Sequence, residues 1–300
     1  MYKMSEYAFV AGLLTIGLGI LAYVAYAFSG IRAARMQTQT AGGAAAVQNS
    51  GGLLSFSSGP RTAAIGRYAT IMSWLALMFV SASLVFRTVA TGHGPFANMY
   101  EFSVAFAWGI LLIHVWSERR YHQRLLGLIT LPVALALMLY ATTIPSTIEP
   151  LVPALQNNLL LTVHVAVAII AYGSFTIAFG AAFLFLIQPS GGRWGLPRPE
   201  TLDEIAYRSV VVGFPFMTLV IILGALWAEV AWGSYWSWDP KETASLVTWL
   251  IYGSYLHARV MRGWRGQRAA WLLVLGFAAT LFTYFGNLFF GGLHSYSGLR

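Results

Sequence analysis

The chain has 300 residues, of which 58% are hydrophobic and only 9% charged, with no cysteine and a formal charge of +8. A soluble domain carries about 25% charged residues, so these proportions describe a membrane protein with no room for a separate soluble domain. The missing cysteine excludes disulfides, thiolate metal sites, iron–sulfur clusters and thiol nucleophiles, and the positive charge reads as loop arginines rather than as a nucleic-acid surface.

A helix needs roughly 20 apolar residues to cross the hydrocarbon core. Eight segments qualify: about 5–28, 68–90, 102–117, 125–143, 159–187, 208–228, 244–260 and 270–290. Lipid offers no partner to backbone polar groups, so each span must be helical. The fold class is therefore an all-α, polytopic membrane helix bundle. Residues 1–30 lack the basic start of a cleaved signal and are expected to remain as the first transmembrane helix. Residues 31–67 read as a cytoplasmic low-complexity linker, disordered over 36–60, and 68–300 as one membrane domain. Pro145, Pro150 and Pro153 block regular helix in the loop 144–158. In the loop 188–207, Glu200–Tyr207 is expected to form a short surface helix. No internal repeat is visible.

Fourteen of the 18 basic residues fall in one set of loops, around Arg32 to Arg67, Arg119 to Arg124, Arg193 to Arg208 and Arg259 to Arg268. The other set holds Lys3, Arg87, Lys241 and Arg300. Excess arginine marks the cytoplasmic side. Both termini and the loop between the sixth and seventh spans then face outward.

That loop is unusual. The stretch Trp227–Trp249 carries five of the eleven tryptophans. Its middle, W-G-S-Y-W-S-W-D-P-K-E-T from Trp232 to Thr243, is polar enough for water. Tryptophan favours an interface where its ring is apolar and its N–H is wet. An aromatic belt would account for rings spread over helix ends. Trp232, Trp236 and Trp238 instead crowd around Asp239, Lys241 and Glu242, as a shelf for a large flat aromatic ligand would.

Six histidines are present, and an ionisable residue inside a span is a functional candidate by default. His164 lies one turn into the fifth span from its outer end. His294 follows Gly291-Gly292, a pair expected to act as a hinge, just beyond the outer end of the last span. His257 and His114 lie near the inner ends of the seventh and third spans. His93 and His122 read as solvated loop residues. Imidazole is a strong ligand for haem iron, and His164 and His294 share the side of the tryptophan-rich loop. Ala168 and Ala171 leave space beside His164, as Gly253 does beside His257. A purely structural role, bonding a neighbouring helix, stays open for His164 and His257 and is the expected one for His114.

The tryptophan-rich string, the following span ending L-I-Y-G-S-Y-L-H257, the motif N-M-Y-E-F at 98–102, the segment L-T-V-H164-V-A-V-A-I-I-A-Y-G and the tail G-N-L-F-F-G-G-L-H294-S-Y-S-G together resemble the cytochrome c assembly protein family, whose mark is the WWD domain. Over roughly 68–300 the likeness is to the CcsA/ResC-like subunits of System II cytochrome c synthases. The resemblance implies a holocytochrome c synthase type of lyase that attaches haem b to the C-x-x-C-H segment of apocytochrome c. It implies His164 and His294 as catalytic residues and axial ligands of haem iron at the outer face. It implies His257 as a haem ligand within the membrane, with His114 an alternative at similar depth. Trp232, Trp236, Trp238 and Asp239 then belong to the haem-binding loop, and Arg87 and Lys241 are candidates for the propionates. Implied partners are a ResB/CcsB-like membrane subunit, a thiol-reducing thioredoxin-like protein and membrane lipid, with no nucleic acid. The implied place is a bacterial plasma membrane with the active face outward, or a thylakoid. A haem exporter or System I-type haem-loading protein without ligase activity, and a membrane b-haem electron-transfer protein, are the competing functions.

Overall fold

The computed structural model describes residues 1–40, 59–148, 151, 155–156, 158–188, 196–286 and 289–294, with the side chains of 33–40 and 158 set aside. Among the described residues all regular structure is helical. The order is α1 (Tyr2–Thr40), α2 (Pro60–Thr91), α3 (Met99–Tyr121), a 3-10 turn (Arg124–Leu126), α4 (Gly127–Thr142), α5 (Asn158–Ile187), α6 (Pro199–Trp232), α7 (Pro240–Met261) and α8 (Gln267–Phe285).

Seven of these helices are long and apolar enough to cross a membrane. The exception is α7. Its 22 residues reach about 33 Å, enough to span, but it opens on Lys241, Glu242 and Thr243. Packing rather than apolarity seats it. Tyr252 stacks on Phe175 of α5 at 3.6 Å between ring centroids, Thr248 Oγ1 meets Thr283 Oγ1 of α8 at 2.9 Å, and Trp249 Nε1 donates to Thr218 Oγ1 of α6 at 2.9 Å.

Three boundaries differ from expectation. Helix α1 runs on to Thr40 and α2 starts at Pro60, so both ends of the expected linker 31–67 are helical, and its centre, 41–58, lies outside the described residues. The expected surface helix Glu200–Tyr207 is the first two turns of α6, which continues unbroken to Trp232. Asp203 anchors that start, pairing with Arg259 of α7 at 2.6 Å and accepting the Gly266 N–H at 3.2 Å. Residues 143–148 are non-helical, as prolines there require; Pro150 and Pro153 lie outside the described residues.

Neighbouring helices alternate in direction. Ser5 meets Ser83 and Tyr23 meets Ser73 between α1 and α2, and Thr248 meets Thr283 between α7 and α8. The start of α1 and the end of α8 therefore share one face. Tyr2 closes that face by bonding Ser146 at 3.0 Å. Helices α3 and α5 form the centre: 72% of the apolar window of each is buried, against 28% for α6. They touch closely at small residues, where a Cβ on Gly173 would stand 3.1 Å from the Gly109 carbonyl oxygen.

Candidate functional site

At the face that carries the start of α1 and the end of α8, the ends of α3, α5, α6, α7 and α8 surround a chamber partly open to solvent. Helical periodicity builds its walls. On α5 the lining positions are Leu161, His164, Val165, Ala168 and Tyr172; on α6 they are Val220, Ile221, Gly224, Ala225 and Trp227; on α3, Met99, Phe102 and Phe106. Each set recurs at three- and four-residue steps, so one stripe per helix faces inward. The walls are apolar and aromatic. Polar groups are few: His164, His294, Lys241, Glu242, Ser245 and the hydroxyls of the floor. Sparse polar groups in an aromatic cleft are the usual make-up of a ligand site.

His164 and His294 both line the chamber. Nδ1 of His164 is buried without a hydrogen-bond partner among the described residues. The ring also feels the Val220 carbonyl of α6; a buried polar atom left unpaired costs free energy, and Nδ1 is one that borders the chamber. Gly224 faces the same ring; a Cβ there would come within 3.0 Å of Cε1. Ala168, expected beside His164, is buried in the same wall.

His294 reaches the chamber from the segment after α8. Its Nδ1 lies 2.8 Å from Asp239 Oδ1. Trp232 stands edge-on to its ring at 4.8 Å and Trp227 is tilted against it at 5.8 Å. Burial lowers the His294 pKa below the ordinary imidazole value, against the opposing pull of Asp239. Burial pushes the Asp239 carboxyl upward, but hydrogen bonds from His294, the Lys241 N–H and the Leu293 N–H prevail and hold it at about 2. At neutral pH the pair is thus a carboxylate facing a neutral imidazole whose Nδ1 carries the proton.

The tryptophan-rich loop owes its shape to capping. Gly233 ends α6 in the left-handed region, with φ of 74°. Asp239 caps α7 and Glu242 reaches back to the Asp239 N–H at 3.2 Å and the Ser237 N–H at 2.9 Å. The D-P-K-E string is a capping box with proline at the first helical position. Of the three expected loop tryptophans, Trp236 lines the chamber and Trp232 backs His294. Trp238 does neither. It is 68% exposed, has φ of 60°, and meets Trp236 edge-on at 5.7 Å. Trp227 and Tyr235 take the wall positions instead.

The basic candidates separate in the same way. Lys241 lines the chamber and stands 5.9 Å from the Phe102 ring centre. Arg87 is not brought there. It is buried with Glu101 at 2.9 Å and donates to the Ser146 and Thr147 carbonyls at 2.6 and 3.3 Å. His257 lies on an exposed face of α7, away from the chamber. His114 is a satisfied core residue: Nδ1 meets Thr130 Oγ1 at 2.9 Å and Nε2 meets the Tyr23 hydroxyl at 3.1 Å. Glu118, beside it, is bonded by Tyr23 and Thr70. Among the described residues no three His, Asp or Glu side chains converge as a metal-ion site would require. Two imidazoles thus line one chamber whose walls are largely aromatic and apolar.

Comparison with known proteins follows the same line. The model of the family described as "Cytochrome C assembly protein" matches residues 96–294. "Cytochrome c biogenesis protein CcsA" of Gloeobacter violaceus is 36% identical over 76% of this chain and 85% of its own. The protein of the same name from Guillardia theta is 35% identical over 79% and 86%, and that of Synechococcus elongatus 37% over 74% and 85%. Among solved structures, "Cytochrome c Heme Lyase CcmF" superposes with a TM-score of 0.55 at 21% identity, over 92% of this chain and 47% of that one. At that identity the likeness is one of fold, and this chain spans about half the length of that protein. The chain belongs to the cytochrome c assembly protein family, on its CcsA-type branch.

Proposed function

We propose that the chain is the haem-handling subunit of a System II cytochrome c synthase, carrying haem b to the outer face and presenting it to the C-x-x-C-H segment of apocytochrome c. The observation that carries this reading is the pair of imidazoles, His164 and His294, on one aromatic chamber, with His164 Nδ1 buried and unpartnered. The two rings hold the haem iron from either side. Trp227, Tyr235 and Trp236 lie along the macrocycle, Trp232 backs His294, and Lys241 neutralises a propionate. The bound haem supplies two vinyl groups. Each substrate thiol adds its sulfur and hydrogen across one vinyl double bond, so no oxidant is consumed and no cysteine of this chain is needed. The protein's contribution is position: the substrate histidine displaces one of the two chamber imidazoles, which aligns thiols and vinyls.

His257, on an exposed face of α7, offers an imidazole to a second haem position shared with a ResB/CcsB-like subunit that brings the other ligand. A thioredoxin-like protein keeps the substrate thiols reduced. The arginine-rich loops put the chamber on the outward face, in a bacterial plasma membrane; a thylakoid is the alternative.

The test is covalent haem attachment. The full chain, co-produced with a ResB-like partner and a reporter cytochrome c in a host without its own synthase, is expected to yield haem that survives a denaturing gel. His164→Ala and His294→Ala are expected to lose at least about tenfold of it. No attachment with the wild-type chain would reject the ligase reading, and full attachment from both variants would reject the role given to the two imidazoles.

A further inference from the structure

The segment after α8 returns to the start of α7 through one carboxylate. Asp239 Oδ1 lies 2.8 Å from His294 Nδ1 and 2.9 Å from the Lys241 N–H, and Oδ2 accepts the Leu293 N–H at 2.6 Å. The Asp239 side chain is 2% exposed. Gly292 is seated against the same group. A Cβ there would fall 2.2 Å from Oδ2 and 2.9 Å from Pro240 Cδ, closer than any real contact. In the Gly291-Gly292 pair, expected as a hinge, the bare Gly292 backbone lets the chain pass over the carboxylate.

A helix start does not need this. Serine or asparagine would cap α7 equally well, and neither caps with a buried charge. Burying a carboxylate is costly unless donors converge on it, and here two of the donors come from a segment more than 50 residues away. The ring has little freedom left, with Trp232 and Trp227 on its flanks. An imidazole that donates from Nδ1 presents its lone pair at Nε2, and an anionic acceptor makes that lone pair more basic.

We infer that Asp239 is the positioning residue for His294, fixing the path of the tail, the tautomer of the ring and its aim into the chamber. The inference rests on the two-imidazole reading proposed above. Asp239 itself touches neither iron nor substrate; it acts through His294.

The cysteine-free chain allows a test that needs no haem. Leu293, 43% exposed, is changed to cysteine as the only thiol in the full chain, in membranes with its partner subunit from cells unable to make haem. Labelling by a membrane-impermeant maleimide is then timed. Asp239→Ala and Gly292→Ala are each expected to speed labelling about tenfold, the effect of losing two such bonds, with Asp239→Asn between. Gly292→Ala retains both capping residues, Asp239 and Glu242, while its Cβ crowds the tail off the carboxylate, so the two variants break the tie in different ways. In haem-replete membranes, Asp239→Ala is expected to give partly high-spin haem that added imidazole returns to low spin, and Asp239→Asn a raised midpoint potential. Unchanged labelling in both Asp239→Ala and Gly292→Ala would overturn the tie. Faster labelling with unchanged spin state and potential would overturn the positioning role. An unchanged spectrum in His294→Ala would instead reject the two-imidazole reading and the positioning role with it, while the labelling would still decide the tie.

Discussion

His114 and His164 are both held within membrane helices, on α3 and α5, but their surroundings differ. Both ring nitrogens of His114 are engaged: Thr130 takes one, Tyr23 the other, and Tyr23 and Thr70 bond the neighbouring Glu118. His164 keeps a buried nitrogen without a partner and faces a chamber with a second imidazole on its wall. An intramembrane histidine is expensive in either setting. What distinguishes the site is bonding capacity left unused, beside space for something to use it.

The comparison extends to other residues, and each can be moved by experiment from one side to the other. Arg87 belongs with His114. Arg87→Ala strands Glu101 in the interior, an expected loss of about 3–5 kcal/mol, read as reduced accumulation and earlier thermal aggregation in detergent. The protein that remains keeps its haem spectrum; haem loss without instability would place Arg87 at the chamber after all. His114→Ala removes a partner from Tyr23 and Thr130 and is expected to cost about 2–3 kcal/mol, again with haem per folded chain unchanged. Haem depletion in that variant would erase the distinction between the two histidines. Lys241→Met keeps the apolar stem and removes the charge. Its expected effect is about 1 kcal/mol, roughly fivefold weaker haem retention, measured by competition with an apo-haem acceptor. Equal retention would remove Lys241 from the propionates. Trp238→Ala is expected to change neither stability beyond about 0.5 kcal/mol nor the haem spectrum, whereas Trp236→Ala shifts the Soret band. A larger shift from Trp238 than from Trp236 would reverse the assignment of the loop.

The sequence carried the helices well because lipid leaves the backbone few options, and His164, His294, Trp236 and Lys241 were legible as chamber residues. Trp227 was legible too: Val220, Gly224 and Trp227 repeat at four and three residues, one face of a helix. Trp238 was grouped with its neighbours by proximity in sequence, but in an irregular loop adjacent side chains diverge: its backbone is left-handed and its ring is exposed outside the chamber lining. The pairing of Arg87 was not legible because its partner, Glu101, sits on the next helix. The bond between Asp239 and His294 joins residues 55 apart, and no local pattern carries it. The capping box of Asp239 and Glu242 was readable but explains only half of what that carboxylate holds.

The central claim is that His164 and His294 are the two axial ligands of one haem. Its most direct test is the reduced-minus-oxidised absorption spectrum of the purified full chain with its partner subunit, for wild type, His164→Ala, His294→Ala and His114→Ala. The account predicts a low-spin haem b spectrum in wild type and His114→Ala, and its loss or conversion to high spin in the other two. A low-spin spectrum that survives both chamber variants would contradict it.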